Sequence, residues 1–277
     1  MSDWYTEKHT PRSGITIEVK ERIYHARSEF QTVEIVDTFE FGRMLLLDGL
    51  VMLTERDEFV YHEMLAHVPL NSHPDPRRVL VIGGGDGGTV REVLKHPEVR
   101  EVTLVEIDQV VVEAALTYLP GISGGLRDER TRVIYGDGVR FVSESPVDSY
   151  DVVLVDSTDP VGPAEALFTE DFFRACTAAM TAGGVIATQS ESPFYHLPFM
   201  TQLYRRMKGV IPKAAFYLAP VPTYPSGYWS FLMGSGDPDM NFPQCREHVE
   251  LTTGFYSREI HLASFAVPKF LAEALSS

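Results

Sequence analysis

The chain has 277 residues, a length that suits one main core plus an appendage and needs no disulfide or metal staple. Apolar residues make up 44% and charged residues 23%, which excludes disorder as the main state. The 39 Asp and Glu against 24 Lys and Arg leave a net charge of −15, and a surface so acidic repels phosphate backbones and excludes general nucleic-acid binding. It attracts small cations, or serves only to keep the protein soluble.

Cys176 and Cys245 make no disulfide framework and no CxxC pair, and Cys176 in FFRACTAAM reads as a buried thiol. The N-terminus MSDWYTEKHT carries no basic-then-apolar leader, and no apolar run reaches the ~18 residues of a membrane span. A cytoplasmic location is expected.

Residues 1–68 read as a β-rich unit. Ile15, Ile17 and Val19 alternate with polar residues, as do Val33 and Ile35. Met44–Leu47 and Leu50–Leu53 are joined by Asp48-Gly49, the signal of a two-residue type I′ hairpin. Thr54 then reads as the N-cap of a helix from Glu55 to Val68, closed by Pro69, with a linker at 71–76 (NSHPDP). From 69 to 277 short apolar strands (79–83, 102–107, 132–136, 151–156, 184–189) alternate with helical stretches, and 214–219 and 228–234 suggest an antiparallel edge. The expected fold is α/β, a doubly wound, Rossmann-like and mainly parallel sheet preceded by a small β domain. Ligands of such sheets bind beyond the carboxyl ends of the strands.

The first of those ends is Gly83-Gly84-Gly85-Asp86-Gly87-Gly88, in which Gly83, Gly85 and Gly88 fit G-x-G-x-x-G between a strand and a helix. The pattern reads as a nucleotide-like site or as a purely structural turn. Glu106 at the second strand's end can accept hydrogen bonds from two ribose hydroxyls. Asp86 would repel a pyrophosphate, which counts against NAD and FAD and favours an adenosine that bears positive charge. Asp137-Gly138 ends the third strand, as an adenine contact or a helix cap. Asp156 and Asp159 end the fourth, placed to hold ammonium groups or simply to form a turn. His62 and His67 are five residues apart, about 140° around a helix, so the zinc pattern HExxH fails and no metal site is expected.

Taken in order, Tyr61-His62-Glu63, Gly83–Gly88 with Asp86, Val105–Asp108, Asp137-Gly138, Asp156–Pro160 with Gly162-Pro163, and Pro222–Gly227 cover almost the whole chain. In this the sequence resembles the spermidine synthases of the polyamine aminopropyltransferase family; plain methyltransferases share only the α/β half. The resemblance implies transfer of an aminopropyl group from decarboxylated S-adenosylmethionine, a co-substrate, to a diamine, with no other cofactor. By the same resemblance Gln31, Glu106, Asp137 and Gly138 hold the nucleoside, Asp86 and Asp156 the aminopropyl end, and Pro163 lies beside methylthioadenosine. Tyr61, His62, Asp86, Asp156, Asp159 and Tyr224 face the polyamine, Asp156 matches the proton acceptor, and 159–167 matches a gatekeeping loop. His62 stands where relatives carry His or Gln. The family forms homodimers or homotetramers. Putrescine is the expected acceptor, with cadaverine, agmatine or spermidine as alternatives.

The chemistry agrees with that reading. Asp86 would repel the carboxylate of ordinary S-adenosylmethionine and attract the lone ammonium of the decarboxylated form. The nucleophile must be a neutral amine, and deprotonating one of pKa near 10.4 at pH 7 costs roughly 4.6 kcal/mol. Storing that proton on an ordinary carboxylate would cost roughly 9 kcal/mol, so Asp156 is expected to orient the amine and guide the proton outward. Two rival readings are a methyltransferase using the undecarboxylated donor, and a polyamine-binding protein without catalysis.

Overall fold

The computed structural model describes residues 3–160, 162–246 and 250–276, except for the side chain of Pro163. Five antiparallel strands form the first sheet in chain order: β1 (Asp3–Thr10), β2 (Ser13–Arg27), β3 (Thr32–Thr38), β4 (Gly42–Leu47) and β5 (Leu50–Thr54). Asp48 and Gly49 both have positive φ, 48° and 77°, as the type I′ hairpin between β4 and β5 requires.

Helix α1 (Glu58–Ser72) follows, and it departs from the sequence expectation at both ends. Thr54 does not cap it: the Thr54 hydroxyl donates to Asp57 Oδ1 at 2.6 Å, and the helix begins after Asp57. Pro69 does not close it either, for the helix runs on to Ser72. An interior proline costs about 3 kcal/mol, which tertiary burial offsets: Met64, Leu65, Val68 and Leu70 are all fully buried against the second sheet. Helical structure therefore enters the expected 71–76 linker, where Asn71 and Ser72 are buried.

The second sheet has the order β11-β12-β10-β9-β6-β7-β8. Its parallel strands are β6 (Arg78–Gly83), β7 (Glu101–Glu106), β8 (Thr131–Tyr135), β9 (Tyr150–Asp156) and β10 (Met180–Gln189). The expected antiparallel edge is present as β11 (Lys213–Ala219) and β12 (Trp229–Ser235). Between them run α2 (Gly88–Val93), α3 (Gln109–Tyr118), α4 (Pro120–Ser123), α5 (Gly138–Glu144), α6 (Glu170–Ala179) and α7 (Leu197–Lys208), with α8 (Arg258–Ser264) and α9 (Lys269–Ser276) at the C-terminus. Alternate residues of each central strand enter opposite cores. Val79, Val81, Val152 and Leu154 pack under α1 and α2, whereas Leu80, Ile82, Val153 and Val155 meet α6 and α7. A third core joins the first sheet to α3 through Val33, Ile35, Val111 and Ala114. The order reverses beside β6, whose neighbours are β9 and β7, so a crevice opens at the carboxyl ends of these three strands. Among the described residues no helix is long and apolar enough to cross a membrane.

Candidate active site

A cavity of about 390 Å³ fills that crevice. Gln31, Tyr61, His62, Asp86, Glu106, Asp137, Gly138, Asp156, Asp159 and Tyr224 all line it. Of the residues singled out from sequence, residue 161 of the expected gatekeeping loop and the side chain of Pro163 lie outside the described residues; the Pro163 backbone belongs to a 3-10 turn over Gly162–Phe168.

The glycine run has a different purpose from a phosphate loop. A Cβ on Gly83 would lie 2.1 Å from the Asp156 carbonyl oxygen, and one on Gly84 2.7 Å from Asp156 Oδ2. One on Gly85 would meet Glu106 Cγ at 2.9 Å, and one on Gly88 the His62 ring at 2.3 Å. The missing side chains make room for the site's own carboxylates and imidazole. Asp86 is fixed by accepting the Gly88 N–H at 2.8 Å.

At the carboxyl end of β7, Glu106 is buried and accepts the N–H groups of Gly85 (3.1 Å) and Asp108 (2.9 Å). Burial outweighs those two bonds and pushes its pKa up to about 7. Asp108, whose role the sequence did not disclose, starts α3 by accepting the Val110 N–H and also takes bonds from Ser28 (2.7 Å) and the Gln31 amide (3.0 Å). It thus ties the loop before β3 to the second sheet and points Gln31 into the cavity. Asp137 is exposed, and its Oδ1 caps α5 through Val139 N (2.8 Å) and Arg140 N (3.3 Å), the helix-cap reading left open from sequence.

Asp156 sits at the centre. Its Oδ1 accepts the Tyr61 hydroxyl at 2.9 Å and its Oδ2 the Thr89 hydroxyl at 2.6 Å, so the carboxylate cannot rotate. Burial and the neighbouring Asp86 charge raise its pKa. Ligand atoms of His62, Asp86 and Asp156 all lie within 4.8 Å of one another. That spacing would admit a metal as well as an organic cation. The His62 Nδ1 is 2.5 Å from Glu58 Oε2 and its Nε2 3.3 Å from Asp86 Oδ1, so a carboxylate faces each ring nitrogen.

Tyr61 and Tyr224 stand with ring centres 5.7 Å apart, and Tyr224 is held by donating to the Met52 carbonyl at 2.5 Å. Beyond them a smaller cavity of about 40 Å³ is lined by Glu7, Asp159, Gln189 and Trp229. Burial and the facing Glu191 carboxylate push the Asp159 pKa up to about 7. Glu191 is 2% exposed and holds a strained positive φ of 74°, with His196 Nδ1 2.9 Å from its Oε2. Glu7 and Trp229 were not singled out from sequence; Glu191 lies in the segment 190–194 after the fifth strand, whose part in an acceptor contact the sequence leaves open. The indole N–H of Trp229, a residue that lines this smaller cavity, is buried with no hydrogen-bond partner.

Residues 58–244 match the spermine/spermidine synthase domain, and residues 3–55 the spermidine synthase tetramerisation domain. The chain belongs to the spermine/spermidine synthase family. It is 48% identical to a polyamine aminopropyltransferase of Bacillus mycoides, covering 99% of this chain and 100% of that one. A polyamine aminopropyltransferase of Bacillus subtilis is 45% identical over 98% of each chain. Two solved structures superpose on it. A spermidine synthase in complex with the transition-state analogue AdoDATO has a TM-score of 0.93 at 40% identity, and the spermidine synthase of Thermotoga maritima 0.90 at 39%; both alignments cover 99% of this chain and 94% of the other. The family membership makes this chain an enzyme of the spermidine synthase class, with aminopropyl transfer as its reaction. The small N-terminal β domain ahead of a Rossmann-like sheet agrees with the expected fold.

Proposed function

We propose that the enzyme transfers the aminopropyl group of decarboxylated S-adenosylmethionine to putrescine, giving spermidine and 5′-methylthioadenosine. The observation that carries this reading is the pair of carboxylates Asp86 and Asp156, brought together with His62 in the wall of a cavity of about 390 Å³ that Gln31, Glu106 and Asp137 also line. In this reading Glu106 accepts the ribose hydroxyls, Gln31, Asp137, Gly138 and Pro163 complete the nucleoside subsite, and Asp86 receives the donor's ammonium. The unit at 1–68 supplies Gln31, Tyr61 and His62, and the unit at 69–277 the remainder. A carboxylate on the donor would face Asp86, so ordinary S-adenosylmethionine is a poor substrate and methyl transfer is disfavoured.

The acceptor dication lies between Tyr61 and Tyr224, one amine at Asp156 and Asp86, the other toward Asp159, Glu191 and Glu7. One ammonium of the dication first gives up its proton along Asp156, which Tyr61 and Thr89 orient. The neutral nitrogen so formed attacks the aminopropyl carbon, the carbon–sulfur bond breaks, and its electron pair stays on sulfur as a neutral thioether. Because burial raises the Asp156 pKa, the gap between amine and carboxylate is narrower than in water. Alignment of the reacting atoms supplies the rest. The distal cavity, about 40 Å³, holds roughly three ordered waters, which favours a short diamine over a longer polyamine. The match to the tetramerisation domain supports a homotetramer, and a cytoplasmic location suits these substrates.

The test is mass spectrometry of products from decarboxylated S-adenosylmethionine with putrescine, cadaverine, agmatine and spermidine in competition. Methylthioadenosine plus mainly spermidine is expected. Absence of any aminopropylated amine would end this reading. Asp156→Asn should lower kcat by roughly 10²–10⁴ with little change in donor binding; near-full turnover would remove its catalytic role.

A further inference from the structure

Glu58 lies outside the substrate cavity, buried on α1 one turn before His62, and both its oxygens are engaged. Oε2 meets His62 Nδ1 at 2.5 Å and Arg91 Nη2 at 2.8 Å, while Oε1 meets Arg91 Nη1 at 2.9 Å. Arg91 continues through Nε to Glu92 Oε1 at 2.8 Å, and Glu92 Oε2 pairs with Lys95 at 2.5 Å and His67 Nε2 at 3.1 Å. The line from the cavity wall toward the protein surface therefore alternates in sign: Asp86, His62, Glu58, Arg91, Glu92, Lys95. A neutral imidazole owns one N–H, yet here each ring nitrogen faces a carboxylate at hydrogen-bond range. Only the imidazolium satisfies both.

We propose that Glu58 is a positioning residue for aminopropyl transfer: it keeps the His62 ring doubly protonated against Asp86, and the resulting fixed cation makes the bound amine easier to deprotonate. This rests on the reading of the site given above. Two bare carboxylates beside the acceptor would hold it as an ammonium, which binds well and reacts badly. A permanent positive charge on His62, within 4.8 Å of the ligand atoms of Asp86 and Asp156, cancels one of them while leaving the geometry of both. The groups facing the ring are Glu58 and Tyr61 from α1, Asp86 from the loop after β6, Asp156 from β9, and Arg91 of α2 behind Glu58. Burial alone would favour a neutral ring, but Asp86 and Glu58 overcome it and hold the pKa well above the ordinary imidazole value. The Gly88 backbone, with no Cβ to strike the ring, is what admits the imidazole to this position.

The consequence is a split between binding and turnover. Glu58→Gln removes one of the two charges that keep the ring cationic, so His62 becomes neutral near pH 7. Loss of a unit charge about 5 Å from the amine raises its pKa by one to two units at intermediate dielectric. At saturating substrates, kcat at pH 7 should fall about tenfold or more, its rising limb should move at least one pH unit to the alkaline side, and KM for the diamine should not rise. Glu58→Asp, which retains the charge, should restore most of the wild-type profile. Parallel changes in kcat and KM with an unmoved pH profile would overturn the proposal, because a merely structural role predicts that outcome. Nitrogen-15 NMR of the histidine rings in the wild-type enzyme decides the matter even if the variant fails to fold, with His62→Gln identifying the signal. An imidazolium pattern persisting to pH 8 is expected, and a neutral ring at pH 7 refutes the assignment. The NMR result does not depend on turnover, so a wild-type enzyme that transfers no aminopropyl group would sink the functional reading and leave the protonation state of His62 measured separately.

Discussion

Binding of 5′-methylthioadenosine should release a proton near neutral pH, and Glu106 should be its source. In the free enzyme the carboxyl is buried, with only two backbone N–H groups supporting its charge, and titrates at about 7. Two ribose hydroxyls donating to it favour the ionised form and lower that pKa on binding. If the bound form is fully ionised, the apparent Kd carries a factor of one plus the ratio of protonated to ionised carboxyl. That factor is about 11 at pH 6 and about 1.1 at pH 8, a tenfold tightening worth about 1.4 kcal/mol. Methylthioadenosine is the ligand to use because it is uncharged and reaches neither the diamine carboxylates nor their own titrations. Isothermal titration calorimetry in buffers of differing ionisation enthalpy counts the released protons directly; approaching one is expected at pH 6 and near zero at pH 8. Glu106→Gln should bind roughly 10–100-fold more weakly at pH 8 from the lost charge-assisted bonds, with no dependence on pH from 6 to 8. The reasoning fails if wild-type and variant share the same pH dependence, or if binding releases no proton. The same carboxyl carries a stability prediction of opposite sense: its folded pKa lies above the ordinary 4.5, so ligand-free stability from this group is present at low pH and is lost as pH rises from about 4.5 to about 7.

At the acceptor end, Asp159 titrates at about 7 against Glu191, so KM for the diamine should rise as pH falls from 8 to 6. Glu191→Gln should raise KM several-fold at pH 8 and flatten that dependence; initial-rate measurements at saturating donor show it, and an unchanged slope would separate Glu191 from the diamine site. Gly88→Ala would set a Cβ 2.3 Å from the His62 ring, whereas at Gly121 the space is open. The first substitution should cost about 1–3 kcal/mol, lower Tm and reduce kcat, and the second should do neither; equal Tm for the two variants by calorimetry would refute the packing argument.

The parts of this molecule that were legible in its sequence are those fixed by local chemistry. Asp48-Gly49 specifies its hairpin because both residues must take positive φ, and the apolar runs specify strands buried on both faces. The glycine run, Glu106 and the pair Asp156/Asp159 were visible because strand ends of a doubly wound sheet are where ligands bind. What lay hidden depends on residues that meet only in three dimensions. Glu58 in ERDEF reads as a solvated charge, yet α1 is buried on every side, with Val60, Met64, Leu65, Val68 and Leu70 distributed around its whole circumference. That lack of an apolar stripe was the available signal: a helix without a wet face must find partners for Glu58, His62, Glu63 and His67 inside the protein. Glu63 finds three backbone N–H groups at 254–256, and His67 finds His96 and Glu92. Glu7 and Glu191 lie far from Asp159 in sequence, and no local pattern joins them. Pro69 misled for the converse reason, since tertiary burial overrode its local preference.

The pattern of charges around the cavity answers a conflict in the chemistry. A dicationic acceptor demands carboxylates, while nucleophilic attack demands that one of its nitrogens lose a proton beside them. An entirely acidic pocket would bind the diamine and hold it unreactive. Here the two ends are treated differently. The distal end keeps Asp159 and Glu191 as facing carboxylates, whose mutual repulsion is relieved by an arriving ammonium. The reacting end keeps Asp86 and Asp156 but sets His62 beside them, its charge sustained by Glu58 and, through Glu58, by Arg91. On the proposed reading, affinity is thus concentrated at the nitrogen that must stay charged, and reactivity at the nitrogen that must not. In the proposed pose donor binding sharpens the difference, because the donor's ammonium at Asp86 and its sulfonium beside the reacting carbon add positive charge to the reacting end and none to the distal end.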